Sequence, residues 1–496
     1  MVRSAGGGAD GRIVVIPVFK NAFAELHVSE PPSNTTKVPL VGADPTITLY
    51  QVNEYGVRND EGHIYNFPVV FHRSGQPWVE ANSYLLSCTM HKHMSSRPTD
   101  DVRRKAAKLL DYLLFCEEHN IAWADFSGKR PSLRPTYRYY KYLIEKGGRS
   151  NAVINQYTGV IYYFFKFLSR SFLKLDIDRV DSVKKIKLLI DGARGLRALD
   201  VHKRSQTRRS VGISSVPIGF VRDEGEDLRP LSNAQLNEFL SIIDGNEWSS
   251  IERMVFKVAL MTGARKQSVL TLRVKHIKQL FESSPRSDGT IVIQAGPGTG
   301  IDTKFDKAQN LYFPLQLVED LQSFVSSSLA VKRRATFLTR YQKEYSGLEL
   351  LSVDDQYVFL SDQGNCYYMA KDDPRYRFVS SPPTGQVTDT MRRKLSLYTG
   401  NGFPYSFSYH WLRATFAFQL YQNLKPALAS GRLQYGEEIS IIQHRLHHSD
   451  RRVTEHYLKL FKMESNKLEA QELYEAWLFS FGGYKDLHLD NQLSDI

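Results

Sequence analysis

One stretch of this sequence contains no residue that interrupts a helix, and a helix there would carry two polar side chains on one face. The run from His410 to Leu420 contains neither glycine nor proline, the residues that most readily interrupt a helix. His410 and Arg413 are three positions apart, so a helix places both side chains on the same side. An imidazole and a guanidinium in this arrangement can together bind one anion, such as a phosphate.

Further polar motifs complete a pattern that suits phosphodiester chemistry. Thr262-Gly263-Ala264-Arg265 lies upstream, Leu446-His447-His448-Ser449 lies downstream, and Tyr457 follows. Negative charge grows on the non-bridging oxygens of a phosphodiester during in-line displacement, and guanidinium and imidazole donors can stabilise it. A tyrosine phenolate can attack the phosphorus, form a covalent phosphotyrosine and free a DNA hydroxyl. Tyr457 is therefore the candidate nucleophile.

The spacing between His448 and Tyr457 requires a break in the helix. A straight helix would separate the two residues by roughly 13 Å at about 1.5 Å per residue, too far for both to reach one phosphate. Ser449 and Asp450 are both N-cap residue types, so they can end one segment and begin another. We expect the second segment to be a helix over residues 451–460 that carries Tyr457.

These motifs resemble those of the tyrosine recombinases, also called phage-type integrases. The resemblance covers residues 231–460 and is carried by the motif ending at Arg265, by His410-Trp411-Leu412-Arg413-Ala414-Thr415-Phe416-Ala417, and by Leu446-His447-His448-Ser449 with a tyrosine nine positions after His448. It implies that Arg265 and Arg413 clamp the scissile phosphate. It further implies that His410 and His448 assist charge and proton handling, and that Tyr457 attacks.

Two positions depart from the pattern of that family. His447 stands where the family usually has glycine, which leaves open whether His444, His447 or His448 is the active histidine. Ser268 stands where an acidic residue often follows the first arginine by three positions. This second departure suggests a different partner for Arg265.

In the resembling family, a lysine on a β-hairpin protonates the leaving 5′ oxygen. Residues 290–294 have the β-branched alternation of a strand, residues 296–300 form a glycine-rich turn, and residues 311–315 form the return strand or its exit. The lysine is expected between these strands. Lys304 follows Thr303 as in the family and is the preferred general acid, with Lys307 as the alternative.

The charge of the chain indicates a polyanionic partner. Its 496 residues carry a formal net charge of +12, and a hydrophobic content of 42% suffices for the cores of two or three domains. Basic residues concentrate between positions 179 and 209, where the candidates for contact with a DNA backbone are Lys203, Arg204, Arg208 and Arg209. A solvated charged linker is the alternative interpretation of this segment.

The sequence disfavours several other classes of protein. Cys88, Cys116 and Cys366 are widely separated, which argues against a disulfide framework and against a zinc site. The histidines of residues 444–448 have no nearby set of carboxylates or cysteines, so neither a metal nor a cofactor is expected. No apolar run approaches the roughly 20 residues of a membrane span. We therefore expect a soluble cytoplasmic protein, associated with the bacterial nucleoid and not with a membrane.

The patterns along the chain predict a multidomain protein that is mainly α-helical with small β elements. Residues 1–75, with strand-like runs at 13–19 and 46–52, are expected to form a β-rich N-terminal appendage. Residues 76–175 have apolar side chains at helical spacing and resemble the helical core DNA-binding domain of the family. The remaining expected regions are a basic interdomain linker at 176–228, a mixed α/β tyrosine recombinase catalytic domain at 229–463 and a tail at 464–496.

Three details refine this division. The catalytic domain is predicted to open at Ser232, whose side chain can cap a helix while Gln235 completes a capping box. Residues 326–402 are longer than a minimal catalytic domain requires, and the sequence assigns them no role. The tail has an apolar stripe at helical spacing, formed by Leu473, Trp477 and Phe481. We expect this stripe to be buried, either on a neighbouring protomer, as the resemblance implies, or on its own domain.

Together with the resemblance, these features predict a site-specific DNA recombinase, the integrase of a mobile element. It would cut and rejoin double-stranded DNA through a 3′-phosphotyrosine intermediate without a metal. It would act as a homo-oligomer on DNA, expected as a tetrameric synapse, with accessory recombination proteins as further candidate partners. A type IB topoisomerase-like enzyme and a DNA-binding accessory protein with a decayed active site are the alternatives. The His410 position favours the recombinases, and the intact residue set argues against decay.

Overall fold

The protein is mainly α-helical, with small two-stranded sheets, as the sequence predicts. The computed structural model describes residues 11–20, 22, 63–90, 97, 99–192, 195–208, 216, 220–223, 225–400, 402–448, 451 and 453–458. The chain forms two compact units, residues 1–213 with 377–380 and residues 214–376 with 381–496. Each unit has its own core of buried apolar side chains. Within the described ranges, no helix is both long and apolar enough to cross a membrane.

The first unit combines small sheets with a group of helices. Its elements, in chain order, are β1 (Ile13–Phe19), β2 (Ile64–Val70), α1 (Val79–Met90), α2 (Thr99–Glu118), α3 (Pro135–Glu145), α4 (Asn151–Ser171), α5 (Ile177–Val180), β3 (Val183–Gly192) and β4 (Gly195–Arg204). Strand β1 pairs with β2 in antiparallel register. Helices α2 and α4 lie in the region 76–175, where the sequence has apolar side chains at helical spacing, and they pack against each other.

Strand β2 shares its core with the helices of this unit. The ring of Trp78 packs edge-on against Phe164 of α4, with 5.3 Å between ring centroids. The side-chain amide of Asn82 on α1 donates to the carbonyl of Val70 at 3.0 Å and accepts from its N–H at 2.8 Å. The described part of residues 1–75 therefore belongs to the same compact unit as the helices. The second predicted strand, at residues 46–52, lies outside the described residues.

A β-hairpin occupies the middle of the segment 176–228, which the sequence suggested as a linker. Strands β3 and β4 pair in antiparallel register along their whole length. The chain just beyond the hairpin is anchored because buried Gln206 donates from its side chain to the carbonyl of Val180 at 2.6 Å and from its N–H to Asp181 Oδ1 at 3.1 Å. The division between the two units falls after this hairpin, between residues 213 and 214.

The second unit contains the predicted β-hairpin and most of the motifs. Its elements are β5 (Val221–Asp223), β6 (Glu226–Leu228), α6 (Asn233–Asp244), α7 (Ser250–Thr262), α8 (Lys266–Leu270), α9 (Val274–Glu282), β7 (Thr290–Ala295), β8 (Gln309–Pro314), α10 (Leu315–Ser326), α11 (Ser328–Glu344), α12 (Val387–Leu395), α13 (Trp411–Ala429) and α14 (Glu437–Leu446). Residues 453–458 are also helical. Strands β7 and β8 pair antiparallel with Ile291 opposite Phe313, which confirms the hairpin expected between residues 290 and 315.

Helix α6 begins with the capping box that the sequence predicts. The side chain of Ser232 accepts from the N–H of Gln235, and the side chain of Gln235 accepts from the N–H of Ser232 at 3.1 Å. One face of this helix points inward, with Phe239 and Ile243 fully buried. The capping box thus determines where this helix starts, and the burial of one face determines its orientation.

The segment of residues 326–402 contains a buried ion pair. Arg375 Nη2 lies 2.7 Å from Asp373 Oδ2, and the hydroxyl of Tyr357 donates to the same oxygen at 2.7 Å. The guanidinium of Arg375 also lies over the ring of Phe337 on α11, 4.7 Å from its centroid. Burial alone would raise the pKa of Asp373, but its contacts with Arg375 hold the pKa below the usual value. The extra length therefore joins α11 to the loop that precedes α12.

Helix α7 ends at a glycine that two independent requirements demand. Gly263 has a φ of +66°, in the left-handed region, and caps the helix C-terminus. A Cβ atom at this position would lie 2.4 Å from the ring of Phe416 on α13. Arg265 follows two positions later, so the turn at Gly263 also determines where the backbone of Arg265 lies.

Replacing this glycine should destabilise the protein. Gly263→Ala is expected to lower the free energy of unfolding by roughly 2–4 kcal/mol, because it adds left-handed strain and overpacks the contact with Phe416. Urea unfolding followed by circular dichroism measures the change. The matched control is Gly347→Ala, whose Cβ would have no neighbour within 4 Å, and its effect should stay within about 0.5 kcal/mol. Equal stability of the two variants would contradict the prediction.

Candidate active site

Four of the side chains singled out in the sequence surround one oxygen atom, Oδ2 of Asp223. The hydroxyl of Tyr457 lies 3.3 Å from it, and Nε2 of His448 lies 3.7 Å away. Nε of Arg413 and Nε2 of His410 are each 3.9 Å away. Asp223 is the last residue of β5 and is buried. A guanidinium, two imidazoles and a phenol thus enclose a single anionic oxygen.

The beginning of α13 presents Arg413 and His410. Arg413 is only 3% exposed, and its Nη1 donates to the carbonyl of Gly263 at 2.6 Å while Nη2 donates to the carbonyl of Leu446. These carbonyls lie at the C-terminal ends of α7 and α14, so one guanidinium connects three helices. His410 is the N-cap residue of α13. Both side chains reach the same oxygen, as their three-residue spacing predicts.

The backbone at His447 determines which histidine of the cluster reaches that oxygen. His447, the C-cap residue that follows α14, has a φ of +52°. This conformation favours glycine, which stands here in the resembling family. His447 Nε2 lies 2.7 Å from the carbonyl of Asn310, and His444 Nε2 lies 3.0 Å from the hydroxyl of Tyr312. Of these three histidines, all within the described ranges, His448 is the one that reaches the anionic oxygen.

Tyr457 is fully buried beside His448. The two rings stack with 5.5 Å between centroids and 20° between planes, although they are nine positions apart in sequence. Helix α14 ends at Leu446 and residues 453–458 are helical, while the predicted break at 449–450 falls outside the described residues. His448 Nδ1 also lies 3.0 Å from Oγ1 of Thr454, one turn before the tyrosine.

Burial and charge shift the pKa values of these groups in opposite directions. Burial alone would raise the pKa of Asp223, but the contacts with His448 and Arg413 outweigh it and hold the pKa well below its usual value. Burial raises the pKa of Tyr457, and the charge of Asp223 raises it further. Burial also lowers the pKa of the His448 imidazole. In this arrangement the carboxylate is ionised, and the protonated phenol donates to it.

A cleft of about 560 Å³ opens at the same place. Arg265 lines this cleft, and so do both candidate lysines, Lys304 and Lys307. Arg265 is the N-cap residue of α8, two positions after Gly263. The geometry therefore brings the first arginine to the site and leaves the two lysines as alternatives. Among the residues that the structure describes, no group of three or more His, Cys, Asp and Glu side chains could hold a metal ion.

Ser268 connects the helix that begins after Arg265 to the loop that carries the lysines. Its side chain is fully buried, and Oγ donates to the carbonyl of Asp302 at 2.8 Å. The N–H of Asp302 donates to Oγ1 of Thr271 at 2.9 Å. Where the resembling family often has an acidic residue, hydroxyl groups of this chain therefore hold the backbone of the β7–β8 loop.

The β7–β8 loop holds two adjacent residues in the left-handed region. Phe305 has a φ of +59° and Asp306 a φ of +53°. Such conformations cost on the order of 1–3 kcal/mol for each residue that is not glycine. Two contacts hold the loop in place. Lys371 Nζ lies 2.6 Å from Asp306, and the Thr303 hydroxyl donates to the carbonyl of Lys307 at 2.7 Å. The ring of Phe305 remains 78% exposed and lines the cleft.

The basic residues suggested as DNA contacts lie in different environments. Lys203 and Arg208 are exposed. Arg204 instead lies 3.5 Å from the buried carboxylate of Asp181, with a side chain only 14% exposed, so it supports the packing of the first unit. Arg209 falls outside the part of the chain that the structure describes.

Asp223 is the residue of this site that sequence reasoning missed. It lies in the segment assigned to the linker, and no spacing rule connects it to the motifs around His410 or His448. One signal was present: the run Asp223-Glu224-Gly225-Glu226-Asp227 is acidic, although the chain around it is basic. This isolated acidic run could have indicated a segment that faces a cationic site.

Comparisons with known proteins find similarity to solved structures. No model of a known protein family matches the chain, and no curated protein matches it. The chain is similar to the XerH site-specific recombinase bound to difH substrate, with 14% identity over 79% of this chain and 87% of that chain and a TM-score of 0.41.

Two further solved structures give similar values. The Tn1549 transposon integrase in complex with transposon right end DNA has 14% identity over 76% of this chain and 93% of that chain, with a TM-score of 0.37. A lambda integrase dimer bound to a COC′ core site has 11% identity over 76% of this chain and 94% of that chain, with a TM-score of 0.34. The likeness concerns the fold alone.

Proposed function

We propose that this protein is a site-specific DNA recombinase that cuts and rejoins double-stranded DNA through a 3′-phosphotyrosine. The observation that supports this best is the convergence of a phenol, two imidazoles and a guanidinium on one anionic oxygen, Oδ2 of Asp223. A phosphodiester oxygen at that position would meet the same donors, with the hydroxyl of Tyr457 beside it for attack. This arrangement is what transfer of a phosphoryl group to a tyrosine requires.

The two arginines are suited to hold the phosphate. Arg413 is fixed through two helix-end carbonyls, so its Nε faces the anion without needing to reorganise during the reaction. Arg265 lines the cleft at the start of α8 and would supply the second guanidinium. Charge that grows on the non-bridging oxygens would therefore meet donors already in place.

The reaction would proceed by exchange of one ester for another. The Tyr457 hydroxyl passes its proton to an imidazole of the site, His410 or His448, and its oxygen forms a bond to phosphorus. The bond from phosphorus to the 5′ oxygen breaks, and the 5′ oxygen takes a proton from a general acid. His410 and His448 would handle the charge and protons of the phosphate oxygens. Attack by a 5′ hydroxyl of a partner strand then reverses these steps and releases the tyrosine. Lys304 is the preferred general acid, and Lys307 is the alternative.

The wider assignment follows from the charge of the chain and from its domains. A net charge of +12 suits a partner with a phosphate backbone. We assign residues 76–175 to DNA binding, 229–463 to catalysis and 464–496 to contact between protomers. The protein would act as the integrase of a mobile element, in a tetrameric synapse on bacterial DNA, with accessory recombination proteins as candidate partners. The solved structures that it resembles include an integrase with transposon end DNA.

The nucleophile can be tested with nicked suicide duplexes, from which the cut strand diffuses away and leaves protein attached to DNA. Tyr457→Phe is expected to abolish the adduct that resists detergent, while DNA affinity stays within about twofold, because one hydroxyl supplies the nucleophile but little phosphate contact. A pool of duplexes of random sequence serves as substrate, and denaturing gels measure the adduct.

The matched control for this experiment is Tyr409→Phe. Tyr409 is also a buried tyrosine, but its hydroxyl donates to the carbonyl of Val255 at 2.9 Å. This variant should still form the adduct. A persistent adduct in Tyr457→Phe would move the nucleophile to another residue.

The choice between the two lysines can be tested with sulfur at the bridging 5′ position of the substrate. A thiolate leaves without protonation, so this substrate should restore cleavage by Lys304→Ala, which is expected to be slowed about 100-fold or more on ordinary DNA. Lys307→Ala is the matched control from the same loop and should cleave both substrates at similar rates. Rescue of Lys307→Ala alone would transfer the role of general acid to Lys307.

A further inference from the structure

The carboxylate of Asp223 occupies a position that a phosphate would need. It is ionised and lies within 3.9 Å of the donors of Arg413, His410 and His448, the groups assigned above to the scissile phosphate. Two anions in such proximity repel each other. The carboxylate and a DNA phosphate therefore compete for this place.

We propose that Asp223 is a further residue of this site, which fills the anion position in the DNA-free protein and is exchanged for the scissile phosphate when DNA binds. This inference rests on the proposed function. In the free state the carboxylate neutralises Arg413 and accepts the hydrogen bond of the Tyr457 hydroxyl. The nucleophile thus stays protonated until a phosphate displaces the carboxylate.

The β5–β6 hairpin has features that suit such an exchange. Its base is buried through Val221 and Leu228, whereas its tip carries the acidic residues. Glu226 at the tip also approaches the site, with Oε2 3.8 Å from His410 Nδ1. Two carboxylates of one short hairpin therefore face the cationic site. Each strand of this hairpin has only three residues, so few backbone pairings connect its tip to its buried base.

The charge balance of the site explains why an internal anion is needed. Arg413 is buried and donates to two carbonyls, which are neutral acceptors, so its positive charge needs an anion nearby. Asp223 supplies that anion within the protein, and a phosphodiester supplies it when DNA is bound. The exchange keeps the buried charge compensated in both states.

The exchange can be tested by measuring the affinity of the full-length protein for inorganic phosphate. Asp223→Asn keeps the size of the side chain but removes its charge, and we expect it to bind phosphate at least about tenfold more tightly than the unmodified protein. Phosphorus NMR titration measures the affinity, and the rise of melting temperature with phosphate provides a second measurement. The matched control is Asp227→Asn, which removes a carboxylate of the same hairpin that pairs with Arg222 at 2.7 Å. Asp227→Asn should bind phosphate as the unmodified protein does.

Two results would overturn the proposal. Equal or weaker phosphate binding by Asp223→Asn would show that the carboxylate does not compete, and equal tightening in Asp227→Asn would show a general effect of charge. If Asp223→Asn fails to fold, Asp223→Ala is judged by the same criteria. The adduct assay with Tyr457→Phe judges the proposed function separately, because phosphate binding does not depend on the nucleophile.

A different observation concerns the exposed ring of Phe305. It is held in a left-handed conformation, at the cleft, between Lys304 and a second strained residue, Asp306. The Nζ of Lys304 lies 5.2 Å from the ring centroid. The loop is also pressed against Gly296, where a Cβ would come within 2.9 Å of the carbonyl of Lys307. Backbone strain of this kind is typical of functional positions.

We infer that Phe305 contacts DNA directly, by stacking on a base that is unpaired at the cleavage site. The inference rests on the proposed function. An aromatic face beside lysines is the combination with which proteins bind bases and backbone of unpaired nucleic acid. Because Phe305 and Lys304 are adjacent, a stacked base would place the nearby 5′ oxygen close to the preferred general acid.

The test compares duplexes that are fully paired with duplexes that carry a short unpaired bubble. The unmodified protein is expected to prefer the bubble, and Phe305→Ala should lose at least about fivefold of that preference, whereas Phe305→Trp should keep it. Phe281→Ala, which removes another exposed ring of the same unit outside the cleft lining, is the matched control and should keep the preference.

The variant Phe305→Gly distinguishes the effect of the ring contact from the effect of the backbone strain. It should raise the melting temperature, because glycine relieves the left-handed backbone, and yet lose the preference for the bubble. An unchanged preference in Phe305→Ala and Phe305→Gly would overturn the inference. The adduct formed with suicide duplexes remains an independent measure of the proposed function, since an enzyme could form it without stacking.

Discussion

The second unit depends on how one buried guanidinium is compensated. Arg413 lies where the start of α13 meets the ends of α7 and α14, and it donates to a carbonyl at each of those ends. Carbonyls at helix C-termini carry partial negative charge, so these contacts stabilise the cation. They do not neutralise it. A buried arginine of this kind needs a full negative charge nearby, and the same contacts that hold three helices together thus create an anion site.

This constraint links the stability of the unit to its proposed chemistry. With Asp223 in place, the arginine is neutralised, but the hydroxyl of Tyr457 becomes harder to ionise because burial and the carboxylate both raise its pKa. A phosphate would bring its own negative charge and would also be the electrophile that the phenol attacks. In the proposed exchange, the site would be stable and unreactive with its internal anion, and reactive with a phosphate.

The parts of the fold that the sequence predicted are those governed by local rules. The capping box at Ser232, the β7–β8 hairpin and the shared side of His410 and Arg413 each follow from neighbouring residues. Asp223 and the buried pair of Asp373 and Arg375 could not be predicted in this way, because their partners are distant in sequence or lie in an irregular loop without periodicity. At His447 the departure from glycine was visible, but its meaning depended on a left-handed backbone angle.

The serine at position 268 shows how such a departure can be accommodated. Ser268 and Thr271, both at α8, hold the backbone of Asp302, and α8 begins directly after Arg265 while the loop continues to Lys304. The first arginine and the preferred lysine are therefore attached to one connected piece of structure. Burial already raises the pKa of Asp302 to about 6. A second carboxylate at the fully buried position of Ser268 would face the carbonyl of Asp302 and add an uncompensated charge. A hydroxyl donates to that carbonyl and adds no charge to the buried position.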